Sequence, residues 1–151
     1  MTDLRLTSPA FDDGANLSRE YGYLERNVNP PLRVAGVPDD AETLALVMDD
    51  PDAVKPAGKV WDHWVVWNVP AGRTEIPEDW SPVDAVEGRN DYDDHGYDGP
   101  NPPDGTHTYR FRLFALDTSL DLPADTDADA LVAAIEGHVL ATADLSGTYA
   151  P

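Results

Sequence analysis

Two apolar runs set the pattern of the chain. Thr43 to Met48 reads TLALVM, and Trp61 to Val69 reads WDHWVVWNV, dominated by Trp and Val. Near-continuous runs of this length suit strands covered on both faces. Period-2 alternation in the second run puts Trp61, His63, Val65 and Trp67 on one face and Asp62, Trp64, Val66 and Asn68 on the other. Both faces carry large apolar groups, which predicts a central strand between two layers. Thr108 to Asp117 is a third strand, with Tyr109, Phe111, Leu113 and Ala115 on one face and Arg110, Arg112 and Phe114 on the other. Shorter alternations predict brief strands at Leu4 and Leu6 and at Leu32 and Val34, the latter ended by Gly36 and Pro38.

Between these runs the signals are those of turns. Phe11 to Ser18 reads as loop, and Tyr21 to Pro31 as extended or turning, because Pro restricts itself and the residue before it. Pro51 cannot donate to a ladder, so pairing of the first run should stop there. Ala53 to Gly58 is predicted as loop, Pro70 to Gly72 as a turn and Thr74 to Val86 as irregular. Gly88 to Thr106 is a long loop, and its Tyr92 and Tyr97 predict that it is packed and functional. A helix is expected over about residues 127–136, with Leu131, Val132 and Ile135 inward and Gly137 ending it. Thr126 with Asp129 three residues on resembles a capping box in carboxylate form. The tail HVLATADLSGTYA predicts a helical turn followed by a strand. Several short strands, long loops and one clear helix favour a mainly β, antiparallel sandwich over alternating βαβ units.

Length and charge narrow the reading. At 151 residues the expectation is one domain spanning 1–151, long enough for a sizeable core. There is no cysteine, hence no disulfide, cysteine nucleophile or cysteine metal site. The N-terminal residues show no secretory leader pattern, and no apolar run approaches the ~20 residues of a membrane span, so a soluble, cytoplasmic protein is expected. The net charge is −19, from 29 acidic and 10 basic residues, and Lys55 and Lys59 are the only lysines. Apolar content of 41% with four Trp argues against a disordered acidic chain. An acid-coated fold suited to concentrated salt is the expectation, since at about 1 M salt the screening length falls to ~3 Å. The same charge disfavours nucleic acid and anionic membranes.

Ionisable groups where burial should be deepest mark the candidate chemistry, because burying a charge is costly unless it is paired. Asp50 and Asp52 leave the first run, His63 lies inside the second, and His107 and Tyr109 open the third. The segment Gly99-Pro100-Asn101-Pro102-Pro103-Asp104-Gly105 places three Pro between two Gly. Its amides, with His63 and His107, are candidate donors to a phosphate or carboxylate. Asp50 would orient a His tautomer or accept an ammonium group, and Trp61 would form a wall. A satisfied core histidine at His63 is the competing reading from spacing alone. Two imidazoles and a carboxylate form a sound metal set, but no HxH or HExxH spacing supports one, so neither metal nor cofactor is assigned. No GxSxG motif is present. His95 and His138 are read as structural.

The blocks that carry these residues resemble a known family. Met48-Asp49-Asp50-Pro51-Asp52-Ala53 looks like the DPDA motif of the phosphatidylethanolamine-binding (Raf-kinase-inhibitor-like) proteins, and His63 to Pro70 resembles their following HWVxxNIP strand. Gly96 to Phe111 resembles their GYxGPxPPxGxHRYxF block, and Gly137-His138-Val139-Leu140 with Gly147-Thr148-Tyr149 resembles the C-terminal GHVL and GTY of the bacterial and archaeal branch. The resemblance implies a Greek-key antiparallel β-sandwich with one or two short helices and an anion pocket at one end. It puts Asp50, His63, Pro103, His107 and Tyr109 on pocket positions, with Asp52 and Gly99 beside them. It implies a small anion or phosphorylated head group as ligand. The alternatives are a regulatory protein that binds and inhibits a kinase or protease, and a weak acid–base enzyme using the His pair. A homodimer is compatible with the microbial members. Thr108 stands where the family carries Arg, Asn101 where many members carry Cys, and DPDAV replaces DPDAP.

Overall fold

A computed structural model describes residues 3–151. Among them, β1 (Arg5–Thr7), β2 (Leu32–Ala35) and β5 (Glu75–Ile76) form a small antiparallel sheet in the order β1-β2-β5. β3 (Thr43–Asp50), β4 (Trp61–Pro70), β6 (Val86–Glu87), β7 (His107–Leu116) and β8 (Val139–Tyr149) form a larger one, also antiparallel, in the order β6-β4-β3-β7-β8. Two short α-helices, α1 (Val54–Ala57) and α2 (Ala128–Ile135), and 3₁₀ turns at Arg19–Tyr21 and Pro51–Ala53 complete the regular elements among the described residues.

The large sheet is covered on both sides, which explains the unbroken apolar runs. On one side Leu44, Leu46, Met48, Trp64, Val66, Phe111 and Leu113 meet Leu4, Leu6, Leu32, Val34 and Ile76 of the small sheet. On the other, Ala45, Val47, Val65, Trp67 and Leu116 meet Ala128, Leu131 and Ile135 of α2. Every residue of β3 is buried.

The strict alternation expected along β4 is broken twice. Met48 pairs with Trp64 and Asp49 with Asp62, so His63 is an extra residue in β4. A bulge of this kind re-aims the chain. His63 and Trp64 therefore both face the small sheet, and Val65 and Trp67 face α2. The predicted common face of Trp61, His63, Val65 and Trp67 is split at that point. A second shift lies between Leu44 and Leu46, where β4 again carries one more residue. There Asn68 takes a left-handed φ of 57° and clamps the loop ahead of α2, donating to the Leu120 carbonyl and accepting from the Leu120 amide, each at 2.8 Å.

Other expectations move by local chemistry. Ala53 to Gly58 is not plain loop: a 3₁₀ turn, Pro51–Ala53, runs into α1, because the Asp50 carboxylate caps the Asp52 amide and Pro51 sits at the first position. Asp127, not Thr126, caps α2 by accepting from the Ala130 amide. Val132 is 40% exposed on the flank of the helix, and Ala128 takes its place in the buried stripe. The tail after Gly137 holds no helical turn and goes straight into the eleven-residue β8. The free edge of β8 is lined by the chain's early residues: Leu17 N–H donates to Thr148 O, Thr148 N–H to Ala15 O and Gly14 N–H to Ser146 O.

Asn68→Ala should lower stability in urea unfolding by about 2–3 kcal/mol, through two lost hydrogen bonds and a side chain held at positive φ. Asn68→Gly loses the same bonds without the backbone penalty and should be about 1 kcal/mol milder.

Candidate functional site

Alternation sends the two acids at the end of β3 to opposite faces. Asp49 points to the α2 side and Asp50 to the side of the small sheet, where β7 brings His107 and Tyr109 and the β4 bulge brings His63. These side chains line a cavity of about 180 Å³, walled by Trp61, Tyr92, Pro56, Ala57, Pro102 and Pro103, with Ala53 and Asn101 also in its lining.

His107 is held between two carboxylates. Its Nδ1 meets Asp50 Oδ2 at 2.5 Å and its Nε2 meets Asp104 Oδ1 at 2.6 Å. Carboxylates accept, so both ring nitrogens carry protons in this arrangement and the ring is imidazolium. Burial pulls the His107 pKa down, but the hydrogen bonds and charges of Asp50 and Asp104 outweigh it and the net shift is upward from 6.5. Asp50 is fixed as well: its other oxygen accepts from the Asp52 amide at 2.9 Å.

His63 has a different character. Its Nδ1 lies 2.7 Å from the Asp98 carbonyl, which can only accept, so this nitrogen carries the proton. Burial lowers the His63 pKa, against the Asp98 carbonyl and the charges of Asp50 and Asp91. The ring is neutral, its one N–H is spent on the protein, and Nε2 is an acceptor. His63 therefore has no proton to give an anion. Asp98 closes the network: its amide donates to His63 O, and its buried carboxylate accepts from the side chains of Asn27 and Asn90, both at 2.9 Å.

Two other groups are unpartnered. The Trp61 indole Nε1–H and the Tyr109 hydroxyl are buried without a hydrogen-bond partner in the protein. Burial and then the Asp50 charge push the Tyr109 pKa well up, so it stays a neutral phenol. Tyr92 stacks on Tyr23 with ring centres 4.4 Å apart and meets Trp61 and His63 edge-on, so the long loop is packed into the site.

Behind the site, on the α2 side, Arg110 forms a bidentate pair with buried Asp49 at 2.9 and 3.0 Å, and Arg112 approaches at 3.6 Å. Asp62 shares this face. Burial, with the charges of Asp91 and Asp49, pushes its carboxyl up to about 7.

Of the residues expected at the site, Asp50, Trp61, His63, Pro103, His107 and Tyr109 line the cavity. Asp52, Gly99 and Pro100 do not. Asp52 is exposed and accepts from the Thr108 amide at 2.8 Å, tying the 3₁₀ turn to β7. Gly99 lies under the loop against the Tyr21 carbonyl, where an added Cβ would come within 1.9 Å. Pro100 accepts from the Tyr23 amide. Asp104, Asp98 and Tyr92 were not singled out for roles at the site. The Asp104-x-x-His107 spacing was the available signal for the first. Among the described residues no group of three His, Asp or Glu side chains is arranged to hold a metal.

The chain is thus a two-sheet antiparallel β-sandwich with an apolar-walled cavity that carries His and Asp side chains. The profile described as phosphatidylethanolamine-binding protein matches residues 7–150, and the chain belongs to that family. It is 43% identical over 151 residues to a UPF0098 protein of Methanothermobacter thermautotrophicus, covering 97% of this chain and 98% of the relative. A homologue of phosphatidylethanolamine-binding protein from Chlamydia trachomatis superimposes with a TM-score of 0.90 at 36% identity, over 99% of this chain and 98% of that one. Escherichia coli YbcL, described as a new member of the mammalian family, also gives 0.90, at 30% identity over 97% and 98% of the two chains.

Ring-proton titration by NMR should place the His107 pKa above 6.5 and that of His63 below it, and Asp50→Asn should lower the former. Asp62 binds its proton more tightly folded, at about 7, than at its ordinary 3.8. Its contribution to stability is thus full below about 4 and lost as pH rises through about 7. Asp62→Asn should therefore gain stability relative to wild type as pH rises through that window, measured by denaturant midpoint.

Proposed function

We propose that this protein binds a small ligand bearing an oxyanion, a carboxylate or a phosphorylated head group, at the cavity lined by Asp50, Trp61, His63, His107 and Tyr109. One observation carries the reading: His107 Nε2 already meets a carboxylate oxygen, that of Asp104, at 2.6 Å, so its donor is aimed and spaced for an oxyanion. Asp50 holds the ring in orientation and favours its charged form. The Trp61 N–H and Tyr109 O–H, buried without partners, are suited to the remaining oxygens of such a ligand. Neutral His63 contributes an acceptor and would meet a hydroxyl or ammonium beside the oxyanion. Thr108 offers no cation, so His107 carries the anion's charge alone among the lining residues.

Titration with phosphoethanolamine and with acetate should shift the ring signals of His107 saturably while exposed His95 and His138 stay still. His107→Ala should weaken binding by about tenfold or more, the worth of a charge-assisted hydrogen bond. No response at His107 to either compound would rule the reading out.

A further inference from the structure

We infer that Asp104 is an internal ligand of this cavity, and that the cavity in consequence selects an organic monocarboxylate with an apolar body over phosphate. The inference rests on the oxyanion reading above.

Both N–H groups of His107 are used, one by Asp50 and one by Asp104. An external anion reaches the ring only where one of them gives way. Asp50 is 4% exposed at its side chain and also holds the Asp52 amide, so it stays. Asp104 is 42% exposed at its side chain, and its carboxylate makes this one hydrogen bond among the described residues. It precedes Gly105, whose φ of 151° suits glycine and whose surroundings are open. Asp104 is thus the partner that can swing away.

Charge then decides the ligand. A carboxylate that replaces the Asp104 carboxylate leaves the balance around His107 unchanged. A phosphate dianion adds a second negative charge beside buried Asp50, and no Lys or Arg lines the cavity to offset it. The incoming group must also outcompete a tethered acid, whose effective concentration is on the order of mM or above. A simple carboxylate brings nothing extra. One with an apolar body gains the walls of Trp61, Tyr92, Pro56, Ala57, Pro102 and Pro103. Their cavity of about 180 Å³ has room for one aromatic ring, since an engineered cavity of roughly 150 Å³ takes benzene.

The test is titration of the full-length chain with benzoate, acetate and inorganic phosphate at constant pH and ionic strength. It is followed at the Trp61 indole N–H and the His107 ring by ¹H–¹⁵N NMR. In wild type, benzoate should bind more tightly than acetate or phosphate. In Asp104→Ala its Kd should fall by roughly tenfold or more, the tethered competitor being gone. Asp104→Asn, which keeps the loop's shape but not its charge, should lie between the two. Equal benzoate affinity in wild type and both variants overturns the internal ligand while leaving the oxyanion site standing. Tighter binding of phosphate than benzoate to the wild-type chain overturns the selectivity. If none of the three probes moves either signal in any of the proteins, the oxyanion reading falls and this inference with it.

Discussion

The buried pair of Asp50 and His107 joins the site to the fold. An isolated carboxylate at the end of a fully buried strand would be expensive, and imidazolium at Nδ1 with the Asp52 amide on the other oxygen removes most of that cost. Those partners belong to different elements. The amide starts the turn that leads into α1 and one wall of the cavity, and His107 is the first residue of β7. One carboxylate therefore fixes where β3 stops, how the chain leaves it, and how β7 presents its first side chain. Fold stability and site geometry depend on the same contact.

The sheet sorts its ionisable groups by parity. Along β3, Asp49 and Asp50 are neighbours in sequence, yet one sits in an ion cluster with Arg110 and Arg112 and the other in an apolar-walled cavity. The arginines of β7 stay on the far face from His107 and Tyr109 by the same alternation. The cavity consequently has no arginine in its lining, and its chemistry reduces to one carboxylate paired with one imidazolium, one neutral imidazole and a few neutral donors. The bulge at His63 brings that residue to this face while Asp62 stays on the other.

Much of this was legible in the sequence. β3 and β7 announce themselves because double-sided burial leaves Leu44 to Met48 without a polar residue and alternation orders the second. The motif blocks carry Asp50, His63 and His107, and the fold brings these three side chains to one cavity. The face of His63 was not legible, because an extra residue in one strand depends on what its partner strand does. The short helix after Pro51 depends on a side-chain cap from Asp50, and the exposure of Val132 on where the Asp127 cap starts the helix. Asp104 was missed as one acid among 29. Its part at the site comes from loop geometry, which composition hides.

The early residues laid along β8 bear on association between molecules. A long outer strand offers a row of unpaired amides and carbonyls that a second chain can extend, the usual route to edge-to-edge aggregation. Here the Gly14 and Leu17 amides and the Ala15 carbonyl are hydrogen-bonded to the C-terminal end of that row, joined by the Asp13 carboxylate on the Ser146 amide. At the opposite border β6 is two residues long. The sheet is therefore covered over part of one border by the chain's early residues and is short at the other, which limits its growth into a shared sheet where salt screens the repulsion between acidic surfaces.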